Sequence, residues 1–331
     1  MRALIYQGAG GSEVMRIVEV PRPAVGPGQI RVQVGAAGLN RADILQRQGR
    51  YPAPHGWPAD IPGLEYAGRV EAVRPGVTRW KVGDRVMGLV GGGACAEEVV
   101  VNADEAMAVP SSLTDAEAAA IPEAFLTAYD ALVIRARVQS KERVLIHAAA
   151  SGVGTAAVQI AHELGAIVIG TSRSADKLAR MTVYGLDHPI DTSRHPIGGG
   201  FREAVGQPVN AILDVLGGPA LADNLAILAP RGRLVLLGFL AGSRSEVDLA
   251  PVLAKRLEII GAVMRTRSSD ERAALVADFA RNMLPLFDRG ELRPVVDRVV
   301  AMQDAAVAHA AMEHNESFGK IILSWDAAGS K

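Results

Sequence analysis

The sequence predicts an α/β protein of two domains, one a doubly wound parallel sheet and the other rich in β-strands. A short apolar run at residues 144–146 is followed by a glycine turn, a helical stretch and a second apolar run at residues 167–170. Strand-like runs recur at residues 210–214 and 233–237 with helical patterns between them, which is typical of a parallel sheet covered on both faces. About the first 120 residues differ, because their short β-rich runs are separated by Pro and Gly turns.

The β-rich domain is predicted to be barrel-like or sandwich-like. Its strand-like runs lie at residues 29–34, 66–73, 85–90 and 97–101. The capping residues at 111–117 precede an alanine-rich helix that leads into the parallel sheet.

The C-terminal tail returns to mixed structure and is expected to complete the β-rich domain. Its predicted elements are a long helix over 270–289, a strand at 295–300, a helix over 304–313 and a strand at 320–323. We therefore predict a β-rich domain over residues 1–122, completed by residues 266–331, and a parallel-sheet domain over residues 123–265.

The glycine turn after the first strand of the parallel sheet is the most informative motif. Gly152 and Gly154 open a helix of small residues, and the free N–H groups and dipole of a helix N-terminus suit a pyrophosphate. The match to the usual G-x-G-x-x-G fingerprint is incomplete, since Ala148 and Ser151 stand at related positions. A tight turn without a ligand is the alternative, but a second strand follows, as a βαβ unit of ~30 residues requires. A dinucleotide enzyme is the leading hypothesis, with Ser151, Gly152, Val153 and Gly154 facing the pyrophosphate.

The end of the second strand predicts NADPH rather than NADH. A carboxylate that binds the ribose 2′-hydroxyl is expected ~20 residues past the glycine turn. That position falls on residues 171–174, and no carboxylate follows until Asp176. Ser172, Arg173 and Lys177 instead offer donors and positive charge to a 2′-phosphate.

Composition excludes several classes of partner. The formal net charge is −1 and no basic run is present, which argues against nucleic acid or an anionic membrane surface as a partner. No apolar stretch reaches the ~18 residues of a membrane-spanning helix, and the start of the chain lacks the apolar block of a signal peptide. The single cysteine, Cys95, cannot form an internal disulfide and is interpreted as a packing residue. We expect a cytoplasmic protein.

Five segments, in order along the chain, resemble the zinc-free quinone oxidoreductases of the medium-chain dehydrogenase/reductase superfamily. They are residues 40–51 (NRADILQRQGRY), 63–68 (GLEYAG), 82–87 (VGDRVM), 118–128 (AAAIPEAFLTA) and 314–321 (HNESFGKI). The resemblance covers essentially the whole chain and looks closest to the subgroup of the tumour-suppressor-inducible quinone oxidoreductase. It implies a GroES-like catalytic domain, a Rossmann domain and a nicotinamide cofactor in a cleft between them.

The same resemblance predicts that no metal is bound. Zinc-dependent relatives hold catalytic zinc with cysteine and histidine, typically with the histidine in a Gly-His-Glu segment. The matching tripeptide here is Gly63-Leu64-Glu65, and Asn40 occupies the region of the first cysteine ligand. Without a Lewis acid, the natural acceptor is one that is already electrophilic, such as a quinone or an enone.

Two residues match the active-site positions of the family. Tyr51 could donate a hydrogen bond to the reduced acceptor or stack on it, and the alternative is a tyrosine that only packs a cleft wall. Asn40 could act as a second donor, and its alternative is to cap the helix that starts at Arg41.

The resemblance also implies further cofactor contacts. Thr127 resembles the family threonine near the nicotinamide, with a helix-capping or buried hydroxyl as the alternative, and Lys320 could equally be a solvated charge at a strand end. Thr192 replaces a tyrosine of the family subgroup, beside the 2′-phosphate. The other predicted contacts follow strands or match family positions, and they are Leu216, Gly238, Phe239, Leu240, Met264 and Arg265.

The resulting prediction is NADPH-dependent, metal-free quinone reduction by hydride transfer from nicotinamide. An enoyl-thioester reductase, acting on a C=C bond, and a nonenzymatic NADPH-binding stress protein are the two alternatives. The apolar segment at residues 257–263 reads as the last strand of the parallel sheet, and an exposed edge of this kind would invite pairing. Because relatives join this edge across a two-fold axis, we expect a homodimer.

Overall fold

A computed structural model of the chain describes residues 1–327 and shows two compact units. One unit comprises Met1–Leu126 together with the chain from Met264 onward, and the other comprises Thr127–Val263. The boundaries predicted from the sequence lie after residues 122 and 265. The chain passes from the first unit to the second inside a continuous helix, Pro122–Tyr129. No loop marks this boundary in the sequence. Residues 328–331 of the predicted first domain lie outside the described part of the chain.

The described chain has the following strands in order: β1 (Arg2–Tyr6), β2 (Met15–Glu19), β3 (Gln29–Gly38), β4 (Glu65–Val73), β5 (Arg85–Leu89), β6 (Glu98–Asn102), β7 (Ala106–Ala108), β8 (Arg143–Ile146), β9 (Ile167–Ser172), β10 (His188–Asp191), β11 (Val209–Asp214), β12 (Leu228–Leu236), β13 (Glu258–Gly261), β14 (Val296–Ala301) and β15 (Lys320–Ser324). Its α-helices are α1 (Arg41–Arg47), α2 (Asp115–Ala118), α3 (Pro122–Tyr129), α4 (Gly152–Glu163), α5 (Ala175–Met181), α6 (Phe201–Val205), α7 (Gly218–Ile227), α8 (Ala250–Lys255), α9 (Ser269–Asn282), α10 (Leu284–Asp288) and α11 (Ala305–Glu313).

The first unit is built on a largely antiparallel sheet in the order β14-β15-β3-β4-β5-β7, with β6 paired to β3. Its core contains apolar side chains from both the N-terminal strands and the tail, among them Ile30, Val86, Ala308 and Ile321. The tail strand β15 pairs with β3, so the C-terminal segment completes the sheet that the first residues begin.

The second unit contains a six-stranded sheet in the order β10-β9-β8-β11-β12-β13. Every strand pair in it is parallel. The strands at its centre are apolar at consecutive positions because both faces are covered, and Val144, Leu145 and Ile146 are fully buried. The predicted α/β class and doubly wound sheet are confirmed. The direction of winding changes between β8 and β11, and ligands bind at the carboxyl ends of strands at such a point.

The predicted single helix over residues 270–289 is wrong, because the structure divides it into α9 and α10. Met283 lies between the two helices with φ −111° and ψ −35°. Pro285 is in the first turn of α10, where its missing N–H is tolerated, but inside one long helix it would remove a hydrogen bond and clash with the preceding turn.

Two general features bear on the type of protein. None of the helices in the described residues is both long and apolar enough to cross a membrane. Cys95 is buried and free, and burial raises the pKa of its thiol well above the ordinary value. A thiol of this kind is a packing group and a poor nucleophile.

Candidate active site

The predicted cofactor residues of the second unit gather at one edge of its sheet. They lie on the loops or helix starts that follow the carboxyl ends of five parallel strands: Ser151–Gly154 after β8, Ser172 and Arg173 at the end of β9, Thr192 after β10, Leu216 after β11, and Gly238–Leu240 after β12. Phe239 and Leu240 are 56% and 54% exposed, which is unusual for large apolar side chains and leaves them available to contact a ligand.

Helix α4 presents its N-terminus at this edge. Ser151 is the N-cap, and its Oγ accepts a hydrogen bond from Gly154 N at 3.1 Å. A Cβ on Gly154 would lie 2.7 Å from the carbonyl carbon of Ala149 and still closer to the carbonyl oxygen of Ala148, so only glycine lets the helix approach the strand this closely. Ala148 has a φ of 50°, the left-handed conformation that glycine adopts without strain.

A buried polar network holds the strand ends beneath this helix. His147 Nε2 lies 2.9 Å from Asn224 Oδ1, and its Nδ1 lies 3.1 Å from Thr171 Oγ1. Asn224 Nδ2 donates to Asp214 Oδ2, which leaves the amide oxygen of Asn224 to accept from His147. Burial lowers the pKa of His147 despite the nearby Asp214 carboxylate, so the ring is neutral, with its proton on Nε2. The network ties β8, β9 and β11 together at the point where the winding changes.

The end of β9 provides donors for a phosphate. Ser172 is paired with Asp191 of β10, and Thr192 N donates to Ser172 O at 2.8 Å. Arg173 is exposed, and Lys177 lies in the first turn of α5. The carboxylate of Asp191, one strand away, accepts hydrogen bonds from the backbone and hydroxyl of its own turn.

The residues of this edge fit a nicotinamide dinucleotide. Thr127 lies inside α3, and its Oγ1 is buried without a hydrogen-bond partner among the described residues. An orphaned buried hydroxyl carries a free-energy cost that a polar group of a ligand would relieve. The half-buried N-terminus of α4 gives the edge a cradle for the pyrophosphate, and Thr127 offers a separate polar contact within the second unit.

In the first unit, Asn40 belongs to a buried ion-pair network. The Lys320 ammonium forms a salt bridge with Glu65 and also donates to Asn40 Oδ1 at 2.7 Å and to Leu39 O at 2.9 Å. Asn40 Nδ2 donates to Glu65 Oε1 at 2.9 Å. The side chain of Asn40 therefore faces this network, and all three ammonium protons of Lys320 are used within the unit. The predicted cofactor contact of Lys320 would require one of these hydrogen bonds to be exchanged.

Arg265 holds the backbone around Tyr51. Its guanidinium donates to Tyr51 O at 3.0 Å, to Gln46 Oε1 at 2.7 Å and twice to Gly91 O. Its Cζ lies 4.7 Å from the centroid of the Tyr51 ring, a cation–π arrangement. Burial raises the pKa of Tyr51, so its phenol is protonated at neutral pH and can donate. Met264, next to Arg265, is buried.

Two acidic residues near this network were not singled out from the sequence. Asp43 is buried in α1 and accepts from Asn40 N and Gly63 N, and burial raises its pKa to about 6. Glu123 N donates to Glu65 Oε2 at 2.7 Å, and burial beside the Glu65 carboxylate raises the pKa of Glu123 to about 8. The sequence did offer one indication of Glu123, because it is the only charged residue in the alanine-rich segment 118–128.

Leu64 stands where zinc-dependent relatives place a histidine, and its side chain is buried. Within residues 1–327, no group of three or more His, Cys, Asp or Glu side chains is arranged to hold a metal ion. Zinc independence remains a prediction.

Two family models match the chain. The alcohol dehydrogenase GroES-like domain matches residues 26–111, and the zinc-binding dehydrogenase family matches residues 152–281. Among similar proteins, the human synaptic vesicle membrane protein VAT-1 homolog is 32% identical over 98% of this chain and 86% of its own length. Quinone oxidoreductase-like protein 2 of Bos taurus is 33% identical over 96% of this chain and 92% of its own length.

Solved structures of similar proteins match almost the whole length of this chain. A quinone oxidoreductase of Pseudomonas syringae has a TM-score of 0.86 at 31% identity, covering 98% of this chain and 99% of that one. A mycobacterial protein in complex with NADPH has a TM-score of 0.85 at 30% identity, covering 98% and 100%. The enoyl reductase CurK has a TM-score of 0.84 at 27% identity, covering 98% of both chains. Similarity of this extent shows that the chain belongs to the medium-chain dehydrogenase/reductase superfamily of nicotinamide-dependent oxidoreductases.

Proposed function

We propose that the protein reduces quinones with NADPH by direct hydride transfer, without a metal ion. The observation that carries this proposal is the arrangement at Tyr51. Its protonated phenol lies on a loop fixed by Arg265 and, by resemblance, matches an active-site position of the family. Leu64 stands at the matching position of the metal-ligating histidine of zinc-dependent relatives. Such a site suits an acceptor that needs a hydrogen-bond donor and no Lewis acid.

NADPH supplies the hydride in this proposal. The chain would hold its pyrophosphate at Ser151–Gly154, its 2′-phosphate at Ser172, Arg173, Lys177 and Thr192, and its nicotinamide side with Thr127 and residues 238–240. The backbone N–H groups of α4 and the dipole of that helix stabilise the negative charge.

Tyr51 and Asn40 are proposed to orient the acceptor. Hydride addition to a quinone gives a phenolate-like oxygen, and a phenol donor such as Tyr51 stabilises that oxygen by a hydrogen bond. Asn40 Oδ1 accepts from Lys320, and its two amide protons are donated to Gly38 O and Glu65 Oε1, so its amide is fixed in orientation. A hydrogen bond from Asn40 to the acceptor would require one of these hydrogen bonds to be exchanged. Orientation of the acceptor and exclusion of water are proposed to contribute more to the rate of quinone reduction than any single acid does.

The proposal is tested by measuring NADPH oxidation with a panel of 1,2- and 1,4-quinones and with crotonyl-CoA, with and without EDTA. We expect turnover with quinones and no loss in EDTA. Much faster turnover of crotonyl-CoA would favour an enoyl-thioester reductase, the alternative supported by the similarity to an enoyl reductase structure. NADPH binding without turnover of either acceptor would favour a nonenzymatic NADPH-binding stress protein.

Substitution of Lys177 with alanine is expected to weaken NADPH selectively. Its ammonium is proposed to pair with the 2′-phosphate, which NADH lacks, so the KM for NADPH should rise roughly tenfold while that for NADH changes little. Steady-state kinetics with both cofactors measure this. Wild-type kcat/KM for NADH equal to or above that for NADPH would contradict the NADPH assignment, whatever the variant does.

Substitution of Tyr51 separates its ring from its hydroxyl. We expect Tyr51→Phe to lose roughly tenfold or less in quinone kcat/KM and Tyr51→Ala to lose more, mainly through the KM for the acceptor. NADPH affinity should be unchanged in both variants. Unaltered quinone kinetics in Tyr51→Ala would show that the residue is only structural.

We also propose that the protein is a cytoplasmic homodimer. In the second unit, β13 is the last strand of the sheet. Ile259 within it is 43% exposed, and Val263, two residues after it, is 48% exposed. Pairing of this edge across a two-fold axis would satisfy its backbone groups in a closed way. Light scattering at micromolar concentration should therefore give twice the chain mass of 34.7 kDa.

A further inference from the structure

We propose that Glu123 is the proton donor to the acceptor, delivering a proton to the anion that hydride addition creates. This inference rests on the proposed function, since it requires an acceptor that binds beside Tyr51.

The position of Glu123 supports this role. It lies in the first turn of α3, and its backbone N–H donates to Glu65 Oε2 at 2.7 Å, which places it against the buried ion-pair network. The side chain is partly exposed, and its carboxyl oxygens have no hydrogen bond or ion pair within the described residues. The carboxyl group is therefore accessible to a bound molecule and to water, and no partner within the chain competes for its proton.

The electrostatic surroundings keep Glu123 protonated at neutral pH. The charged and titratable groups that act on it belong to several segments of the first unit: Glu65 of β4, Lys320 of β15, Asp43 of α1, Arg265 and Tyr51. Burial has the largest effect and the Glu65 carboxylate the next, and both oppose ionisation more than Lys320 and Arg265 favour it. With a pKa of about 8, Glu123 is an acid matched to work near neutral pH.

In the proposed step, Glu123 gives up its proton to the reduced acceptor and regains one from water. A bound dihydronicotinamide would supply a hydride, that is, two electrons and one proton, and the acceptor would then carry a negative charge. The O–H bond of Glu123 breaks as a new O–H bond forms on a reduced quinone, or a new C–H bond on a reduced enone. Water then returns a proton to the Glu123 carboxylate. The sum is acceptor, dihydronicotinamide and one proton giving reduced acceptor and oxidised nicotinamide.

The need for this proton differs between acceptors. A reduced quinone is a phenolate-like anion that accepts its proton readily from water, whereas a reduced enone is a far more basic enolate. General acid catalysis contributes roughly 10²–10⁴-fold where the proton is needed in the transition state. Loss of the Glu123 proton should therefore harm enone reduction much more than quinone reduction.

The kinetic test compares wild type, Glu123→Gln, Glu123→Asp and the exposed control Glu163→Gln with 1,4-benzoquinone and 2-cyclohexenone. We expect Glu123→Gln to lower kcat by roughly 100-fold or more with the enone and by less than about tenfold with the quinone. Wild-type enone turnover should fall above about pH 8, and Glu123→Gln should lack this decline while Glu123→Asp retains it. Wild-type rates and pH profile in Glu123→Gln would overturn the proposal, whereas an inactive wild type would overturn the proposed function and this step with it.

A second measurement needs no cofactor or acceptor. The folded-state pKa of Glu123, about 8, lies above its ordinary value of 4.5, so its contribution to stability is fully present below pH 4.5 and is lost as the pH rises to 8. Thermal unfolding should accordingly show Glu123→Gln gaining stability relative to wild type from pH 5 to pH 9, while Glu163→Gln shows no such trend. A pH-independent difference for Glu123→Gln would show that Glu123 is already ionised and would overturn the proposal.

Discussion

Replacing Lys320 with methionine is expected to destabilise the protein by about 3–5 kcal/mol, the usual cost of removing one partner from a buried ion pair. Glu65 is fully buried, and the Lys320 ammonium is its only cationic partner among the described salt bridges. The remaining contacts, from Asn40 and from the backbone of Glu123, are neutral donors and do not compensate a full charge. Urea unfolding of the isolated protein gives the free energy directly.

A matched control is the exposed pair of Arg137 and Glu258, whose side chains are 57% and 47% exposed. Arg137→Met should cost less than about 1 kcal/mol, because water already solvates both charges. Adding Glu65→Gln to Lys320→Met should restore part of the loss by removing the unpaired charge. If Lys320→Met were as mild as the control, the network would not contain a buried charge pair and Lys320 would be free for the cofactor.

Gly154→Ala is expected to weaken dinucleotide binding by roughly tenfold or more, which corresponds to about 1.4 kcal/mol per factor of ten. The added Cβ would overlap the backbone of Ala148 and Ala149, which cannot move aside as a flexible side chain could. Helix α4 would have to shift away from β8, which misplaces the N–H groups proposed to bind the pyrophosphate. Overpacking of this kind also costs about 1–3 kcal/mol of stability.

Titration with NADPH, followed by nucleotide fluorescence, measures the affinity, and thermal unfolding without nucleotide measures the stability. Gly199→Ala is the control, because its φ is not positive and the nearest atom to a new Cβ is 3.7 Å away. We expect this control to match wild type in both measurements. Wild-type NADPH affinity in Gly154→Ala would show that the pyrophosphate is not held at this helix.

The sequence by itself determined the parallel sheet and the edge at which its proposed cofactor residues gather. The apolar runs of β8, β9, β11 and β12 and the turn at Gly152 and Gly154 are local patterns. A parallel sheet places all of its carboxyl ends, and the loops that follow them, on one side. Residues named from five separate loops therefore came together without any knowledge of long-range contacts.

Only the tertiary structure decided which charged groups meet. Lys320 and Glu65 are separated by 255 residues, and no local pattern indicates that the ammonium uses all its protons on Glu65, Asn40 and a backbone carbonyl. Desolvation and Coulomb interaction depend on distance in space and on burial, so the raised pKa of Glu123 could not be read from its place in an alanine-rich helix. The same reason explains why Arg265, predicted from the family as a cofactor contact, is found holding the loop of Tyr51.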